Sequence, residues 1–270
     1  MVSSPITLSI IIPAYNEEYR IAPTLKSYLS FFGEIAEFNT EIIVVLNGCR
    51  DNTKNIAEGF LVAFPLLKIV NIEEAIGKGG AVKKGFEIAS GKYIGYTDAD
   101  NSTSPIEFQK IFNTLLENSS ISCGIGSRNM PDSKVSDKHW KRNIMSAGFN
   151  LGVNTLFGLH IEDTQCGAKI FKREIVEKII PDLTIANMAF DINLLVDTKR
   201  KGGLIKEVGI QWDDKDGSTI TSPVGTSVAM ALSVLRLRII YSPLCFLYPI
   251  LEPIGRLLLT MLGQKRFKRI

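Results

Sequence analysis

Thiol and imidazole chemistry is scarce in this chain of 270 residues, which carries four cysteines and two histidines. Cys49, Cys123, Cys166 and Cys245 lie far apart with no Cys-x-x-Cys spacing. That excludes a zinc knuckle and a disulfide framework, and it fits a reducing compartment. His139 and His160 have no partner at metal-ligand spacing, so surface or packing roles are their default. Neither sign of charge is in excess: 31 basic residues against 28 acidic give a net charge of +3, which excludes the broad basic face of a nucleic-acid binder. No basic segment or small-residue cleavage site precedes the first apolar run, so no secretory signal is expected. Also missing is an uninterrupted run of the roughly 20 apolar residues that span a bilayer. Yet 45% of the residues are hydrophobic, apolar for a purely water-soluble enzyme, which points to some contact with lipid.

What is present is an alternation of two periodicities. Leu8 to Ile12, Glu41 to Leu46 and Tyr93 to Thr97 are short apolar, β-branched runs of the kind found in strands buried on both faces. Between them Glu17 to Phe32, Asn52 to Phe64 and Lys78 to Ser90 repeat apolar residues at helical spacing. A β-α-β-α-β-α-β order predicts a doubly wound, mostly parallel α/β sheet with helices on both faces and ligands at the carboxyl ends of its strands. A fifth strand is expected over Ile121 to Gly126, then a polar loop near Met130 to Asp137 and a long helix over Lys138 to Phe157. Gly167 to Phe171 reads as a strand, Lys172 to Ile180 and Ala189 to Lys199 as helices, and Leu204 to Gln211 as a last strand.

The chemistry-bearing residues follow the strands. Asp98-Ala99-Asp100, after Tyr93 to Thr97, sets two carboxylates on one side of a strand end, an arrangement that suits Mg2+ or Mn2+, a hard cation that completes its shell with phosphate oxygens and water. Gly77-Lys78-Gly79-Gly80-Ala81-Val82 opens a helix, where small residues permit close approach of a ligand and the helix start with Lys78 favours a phosphate or ribose. It is neither a P-loop nor a GxGxxG fingerprint.

With Pro13-Ala14-Tyr15-Asn16-Glu17 and Asn47-Gly48-Cys49-Arg50-Asp51-Asn52-Thr53, these motifs resemble the inverting GT-A glycosyltransferases of family 2. The GKGGAVKKG, YTDADNSTSP and Asp163-Thr164-Gln165-Cys166-Gly167-Ala168-Lys169 stretches are most similar to its dolichyl-phosphate β-glucosyltransferases and, less closely, to its dolichyl-phosphate mannose synthases. The likeness covers about Ile10 to Gln211. It implies a GT-A domain over residues 1–222, with Pro13, Tyr15, Glu17 and Asp51 around base and ribose; Ala14 and Asn47 are counted with the nucleotide-sugar site. It further implies that Lys78 and Asp98 help hold the nucleoside, that Asp100 ligates the metal on the diphosphate, and that Arg128 and Arg142 face phosphates; Gly77 and Ala99 are counted with the nucleotide-sugar site beside them, and Asp98 with the metal site on its strand-end pairing with Asp100. Leu46 and Asn47 stand where the family usually has two acids, and Ile76 where it often has Arg, so Asn47 by itself does not select uridine over guanosine.

The activity so implied is inverting transfer of a hexose from a nucleotide-sugar, UDP-glucose ahead of GDP-mannose, to polyprenyl or dolichyl phosphate. A phosphate acceptor has a second pKa near ~6 and needs cations more than a base. Arg142, Ser146 one turn later, Lys169 and Arg173 are its candidate ligands. A sugar or protein hydroxyl would instead need a base, for which Asp163 and Asp191 are the candidates alongside the catalytic pair Asp98 and Asp100. A non-catalytic nucleotide-sugar-binding scaffold at a membrane is the third reading.

The tail, residues 223–270, differs in kind. From Val224 to Leu262 it is apolar but interrupted by Arg236, Arg238, Glu252, Arg256, Pro243, Pro249 and Pro253, as amphipathic helices lying in a membrane interface are. Lys265, Arg266, Lys268 and Arg269 would be drawn to anionic headgroups. The expected location is the cytoplasmic face of a membrane, peripheral or monotopic. The alternative is a C-terminal helix packed on the domain or on a second copy of the chain.

Overall fold

The computed structural model describes residues 5–35, 38–135, 140–213, 223–249 and 252–253, and for 140–146, 223–224, 244 and 247 the backbone alone. In chain order the elements are β1 (Leu8–Ala14), α1 (Ile21–Glu34), β2 (Thr40–Asn47), α2 (Thr53–Glu58), β3 (Leu67–Ile72), α3 (Gly77–Ile88), β4 (Tyr93–Tyr96), α4 (Pro105–Glu117) and β5 (Ile121–Ser127). They continue with β6 (Lys134–Val135), α5 (Trp140–Phe157), β7 (Lys169–Lys172), α6 (Arg173–Ile179), α7 (Phe190–Arg200), β8 (Leu204–Gly209), β9 (Gln211–Trp212) and α8 (Pro223–Ile240). The main sheet runs β3-β2-β1-β4-β7-β5-β8, parallel throughout except for β7, which lies antiparallel between β4 and β5. A two-stranded parallel ladder, β6 with β9, sits beside it.

Alternation along β1 and β2 explains why both faces are covered. Ile11, Ile43 and Val45 face a core built with α3, α6, α7 and α8, whereas Ile10, Ile12, Ile42, Val44 and Leu46 face one built with α1, α2 and α4. After β1 the chain turns to pair on one side with β2 and on the other with β4, so the loops at the carboxyl ends of β1, β2 and β4 open around one crevice.

The apolar pattern did not locate β3 or α4, and the short β6 lies within the stretch expected as a polar loop. The third strand, counted in the expected order without assigned residues, is β3, an edge strand that is mostly half-exposed and so has a weak alternation. Helix α4 carries a signal of another kind: Ser104 caps it by accepting from Glu107 N at 3.4 Å, and Pro105 occupies its first turn. The helix expected over Asn52 to Phe64 ends at Glu58, and turns follow.

The described part of the tail begins with a helix, α8, docked on the domain, and continues through a short 3-10 turn over Pro243–Leu247. Ala229, Ser233, Val234 and Leu237 of α8 are buried against the core, while Val228, Leu235 and, beyond the helix, Phe246 are exposed. Among the described residues no helix is long and apolar enough to cross a membrane. The basic run Lys265 to Arg269 lies outside the described residues.

A buried acid fastens α8 to α7. Asp197 accepts from Tyr241 Oη at 2.5 Å and from Asn193 Nδ2 at 2.5 Å. Its burial, opposed by the Tyr241 hydrogen bond but reinforced by Asp182 and only partly offset by Arg200 and Lys201, pushes its carboxyl up to about 7. The folded chain thus keeps a proton that the unfolded chain releases near ~4, so this group's stabilisation is full at low pH and is lost as pH rises from there towards 7. The expected outcome is that Asp197→Asn flattens the decline of the thermal midpoint between pH 4 and 7; an unchanged slope would assign the decline to another group.

Candidate nucleotide and metal site

The crevice is assembled by hydrogen bonds between the loops as well as within them. After β1, Asn16 takes a left-handed conformation (φ 54°), which asparagine tolerates, and its Oδ1 accepts from Arg50 N at 2.9 Å. Glu17 N donates to Thr53 Oγ1 at 2.7 Å and Glu18 N to Asp51 Oδ2 at 3.1 Å, so the loop after β2 is laced to the loop after β1. Burial pulls the Asp51 carboxyl up, but the Thr53 hydroxyl and the amides of Thr53 and Glu18 outweigh it and hold the carboxyl below its ordinary value. Glu17 is shifted the other way: burial and the nearby Asp100 and Asp98 carboxylates raise it against its bidentate pair with Arg20, at 2.6 and 2.7 Å.

Asn47 ends β2 with its amide oxygen on Ile76 N at 2.7 Å, which fixes the turn into α3. Pro13 and Ala14 close β1, and Cys49 Sγ reaches Ala14 O at 3.4 Å. Lys78, on the first turn of α3, pairs with Asp98 Oδ1 at 2.5 Å and lies 5.7 Å from the Phe190 ring centre. Burial works against its charge, yet the carboxylates of Asp98 and Asp191 outweigh it and hold the ammonium well above its ordinary pKa.

Asp98 and Asp100 follow β4 as the spacing predicts, and their side chains remain 36% and 24% exposed. Asp100 Oδ1 accepts from Ser102 N at 3.0 Å, and Oδ2 lies 3.9 Å from Arg20. Asn101, again left-handed, leaves Oδ1 buried without a hydrogen-bond partner, as does Ser102 Oγ beside it. Two open carboxylates with idle neutral oxygens nearby are an all-oxygen donor set, which fits a hard divalent cation that takes its remaining ligands from phosphate and water. Among the described residues no third His, Cys, Asp or Glu joins them.

Several assignments made from the sequence change here. The glycines of α3 admit the chain's own backbone: a Cβ on Gly77 would stand 2.3 Å from Ala186 O, and one on Gly79 would stand 2.4 Å from Ile185 O. Lys169 is not available to an acceptor phosphate, because it is fully buried and donates to Cys166 O at 2.6 Å and Asp191 Oδ1 at 2.5 Å. Arg173 is not available either. It follows β7, whose end pairs with Tyr93 at the start of β4, opposite the Asp98 end, and it donates to Gly91 O and Ala89 O at 2.9 and 2.8 Å. Arg142 and Ser146 lie on α5, and their side chains fall outside the described residues.

The two base candidates are both engaged. Asp163 is gripped by Arg128 through Nε at 2.7 Å, Nη2 at 3.0 Å and the backbone N at 3.0 Å. Burial raises the Asp163 carboxyl, but the Arg128 charge and hydrogen bonds outweigh that and keep it low, a poor proton acceptor. Asp191 accepts from both the Tyr96 hydroxyl and Lys169 on one oxygen. Tyr96, Arg20 and Asn193 were not singled out from the sequence. Arg20 carried a local signal, its i,i+3 spacing from Glu17, whereas Tyr96 and Asn193 acquire their partners only on folding.

A switch-point crevice edged by an acidic pair, a lysine at a helix start and two laced loops defines an α/β protein of the nucleotide-binding kind. The chain belongs to glycosyl transferase family 2, whose model matches residues 9–180. It is 33% identical over 246 residues to a dolichyl-phosphate beta-glucosyltransferase of Dictyostelium discoideum, covering 87% of this chain and 75% of that one. With the enzyme of the same name from Saccharomyces cerevisiae it shares 34% over 253 residues, again 87% and 75%. Its fold matches glucosyl-3-phosphoglycerate synthase from Mycobacterium tuberculosis, solved with Mn2+, UDP-glucose and phosphoglyceric acid, at a TM-score of 0.68, 18% identity, and 86% and 79% coverage. That likeness establishes the GT-A architecture.

If the glycines serve internal packing, Gly79→Ala should lower stability by about 1–3 kcal/mol in urea unfolding, because backbone must move. Gly33→Ala, with nothing within 4 Å, should be neutral or stabilising. Equal effects at both positions would contradict this account.

Proposed function

We propose that the protein transfers glucose from UDP-glucose, with inversion, to dolichyl phosphate or a related polyprenyl phosphate at the cytoplasmic face of a membrane. The observation that carries this reading is the pair Asp98 and Asp100 at the end of β4, open to the crevice that the loops after β1 and β2 and the start of α3 enclose. Family membership and two dolichyl-phosphate glucosyltransferases as relatives support the donor and the acceptor.

Pro13, Ala14, Tyr15, Glu17, Asn47 and Asp51 are assigned to the nucleoside, and Lys78 with Asp98 to the ribose and phosphates. Asp98 and Asp100 would hold Mg2+ or Mn2+, which when bound neutralises charge on the departing diphosphate. Lys78 and Arg20 add positive charge beside that position. An acceptor phosphate oxygen attacks the anomeric carbon from the face opposite the diphosphate; the new C–O bond forms as the old one breaks, and the electron pair leaves with UDP. No proton has to move when the acceptor is a dianion, which agrees with Asp163 and Asp191 being committed to Arg128 and Lys169. Arg128, through the edge that Asp163 leaves open, and Arg142 with Ser146 on α5 are assigned to phosphates. The exposed Val228, Leu235 and Phe246 are the described residues best suited to rest on lipid.

Purified protein with labelled UDP-glucose, Mn2+ and dolichyl phosphate should move label into an organic-soluble product. Label in water-soluble product alone would overturn the lipid acceptor, and GDP-mannose as the better donor would overturn the choice of hexose. Asp100→Ala should reduce turnover at least about 100-fold. With a phosphate acceptor, rate against pH should rise through a single inflection near ~6 and then level off.

A further inference from the structure

Helix α8 reaches the donor crevice through the segment 183–189 that precedes α7. That segment backs the start of α3: Gly79 N donates to Ala186 O at 2.8 Å, and Lys83 Nζ donates to Leu183 O at 3.1 Å. Gly77 and Gly79 are tight enough against Ala186 O and Ile185 O that a shift of the segment must be followed by the helix start carrying Lys78. Three polar side chains hold the segment from behind. Asn193 Oδ1 accepts from Thr184 N at 2.9 Å and Ile185 N at 3.2 Å, while its Nδ2 donates to Asp197 Oδ2. Asn187 closes the turn by accepting from Ala189 N at 2.9 Å, and its Nδ2 donates to Ser233 Oγ on α8 at 2.9 Å. Ser233 is fully buried, and Leu237 and Tyr241 follow it at spacings of four, so one stripe of the tail helix bears on the segment and on the Asn193–Asp197 pair.

We infer that the seating of α8 sets the position of Lys78 against Asp98, with Asn187, Asn193 and Ser233 as positioning residues for donor binding. This rests on the reading of the crevice as the donor site. The tail helix is then part of the donor-binding apparatus, and a disturbance of its seat on the domain is felt as donor affinity. Asn193 and Ser233 are fully buried, so their effect passes through the backbone of 183–189 and α3.

The test uses the full chain. Asn187→Ala removes the bonds to Ala189 N and Ser233 Oγ, and Ser233→Ala those to Asn187 Nδ2 and Ala229 O; each should raise the donor KM, and the Kd for UDP with Mn2+, by about three- to tenfold. Turnover number should stay within about twofold and the acceptor KM should not move. Leu115→Ala is the control, because Leu115 is buried in the opposite layer with α4 and the loss of its side chain lowers the melting temperature without reaching the segment. Donor KM values equal to wild type in both variants, despite melting temperatures lowered as in the control, would reduce the contacts to stability alone and overturn the inference. Should the wild-type chain fail to bind UDP with Mn2+ at all, the donor-site reading itself falls, an outcome distinct from wild-type binding that the variants leave unchanged.

Discussion

The fixed position of Asp98 is the constraint around which the crevice is arranged. Its carboxylate emerges at the end of β4, takes Lys78 from α3 on one oxygen, and fills the space that a side chain at residue 167 would need, since a Cβ on Gly167 would stand 2.0 Å from Asp98 Oδ2. A strand end, a helix start and the loop before β7 are thereby fixed against one another. The Lys78 charge does two jobs there: it offsets the cost of bringing two carboxylates close together, and it supplies positive potential where a diphosphate would bind.

Beneath this lies a layer of buried charge. Lys169 with Asp191, and Arg128 with Asp163, are ion pairs whose acids are almost fully withdrawn from water. Such pairs contribute little net stability, because desolvation offsets their attraction, but losing one partner is strongly destabilising. Their use here is directional. Tyr96 and Lys169 converge on one Asp191 oxygen and set the start of α7, and Arg128 is held flat on Asp163 with its guanidinium 5.2 Å from the Trp212 ring centre. Acids placed in such pairs orient cations; they do not serve as free bases, which is in keeping with transfer to an acceptor that is already ionised.

The loops show the same economy of contact. Between residues 13–18 and 47–53, the amides of Glu17, Glu18, Arg50 and Asn52 are satisfied by side chains of the neighbouring loop, with Thr53, Asp51, Asn16 and Glu18 as the acceptors. Buried or half-buried amides must find partners, and partners from another strand's loop make the crevice rigid before any ligand arrives. Short polar residues suit this work, which is why Asn, Asp and Thr accumulate after each strand.

The apolar runs of β1, β2, β4 and β5 and the helical periods of α1 and α3 were legible because burial of a face imposes a period on the residues that form it, and that period needs no knowledge of the partner. The acidic pair was legible for a related reason, since a DxD after such a run is tied to a strand end by adjacency along the chain. By contrast, the fates of Lys169, Arg173, Gly77 and Gly79 were decided only by tertiary structure. A basic residue in sequence is equally a phosphate ligand, a buried counter-ion or a backbone clasp, and the choice depends on whether β7 runs antiparallel beside β4 and on where the 183–189 segment comes to rest. Sequence determined which chemistries this chain possesses, whereas packing determined which of them face the crevice, because solvent access and hydrogen-bond partners are properties of the assembled layers and not of neighbours along the chain.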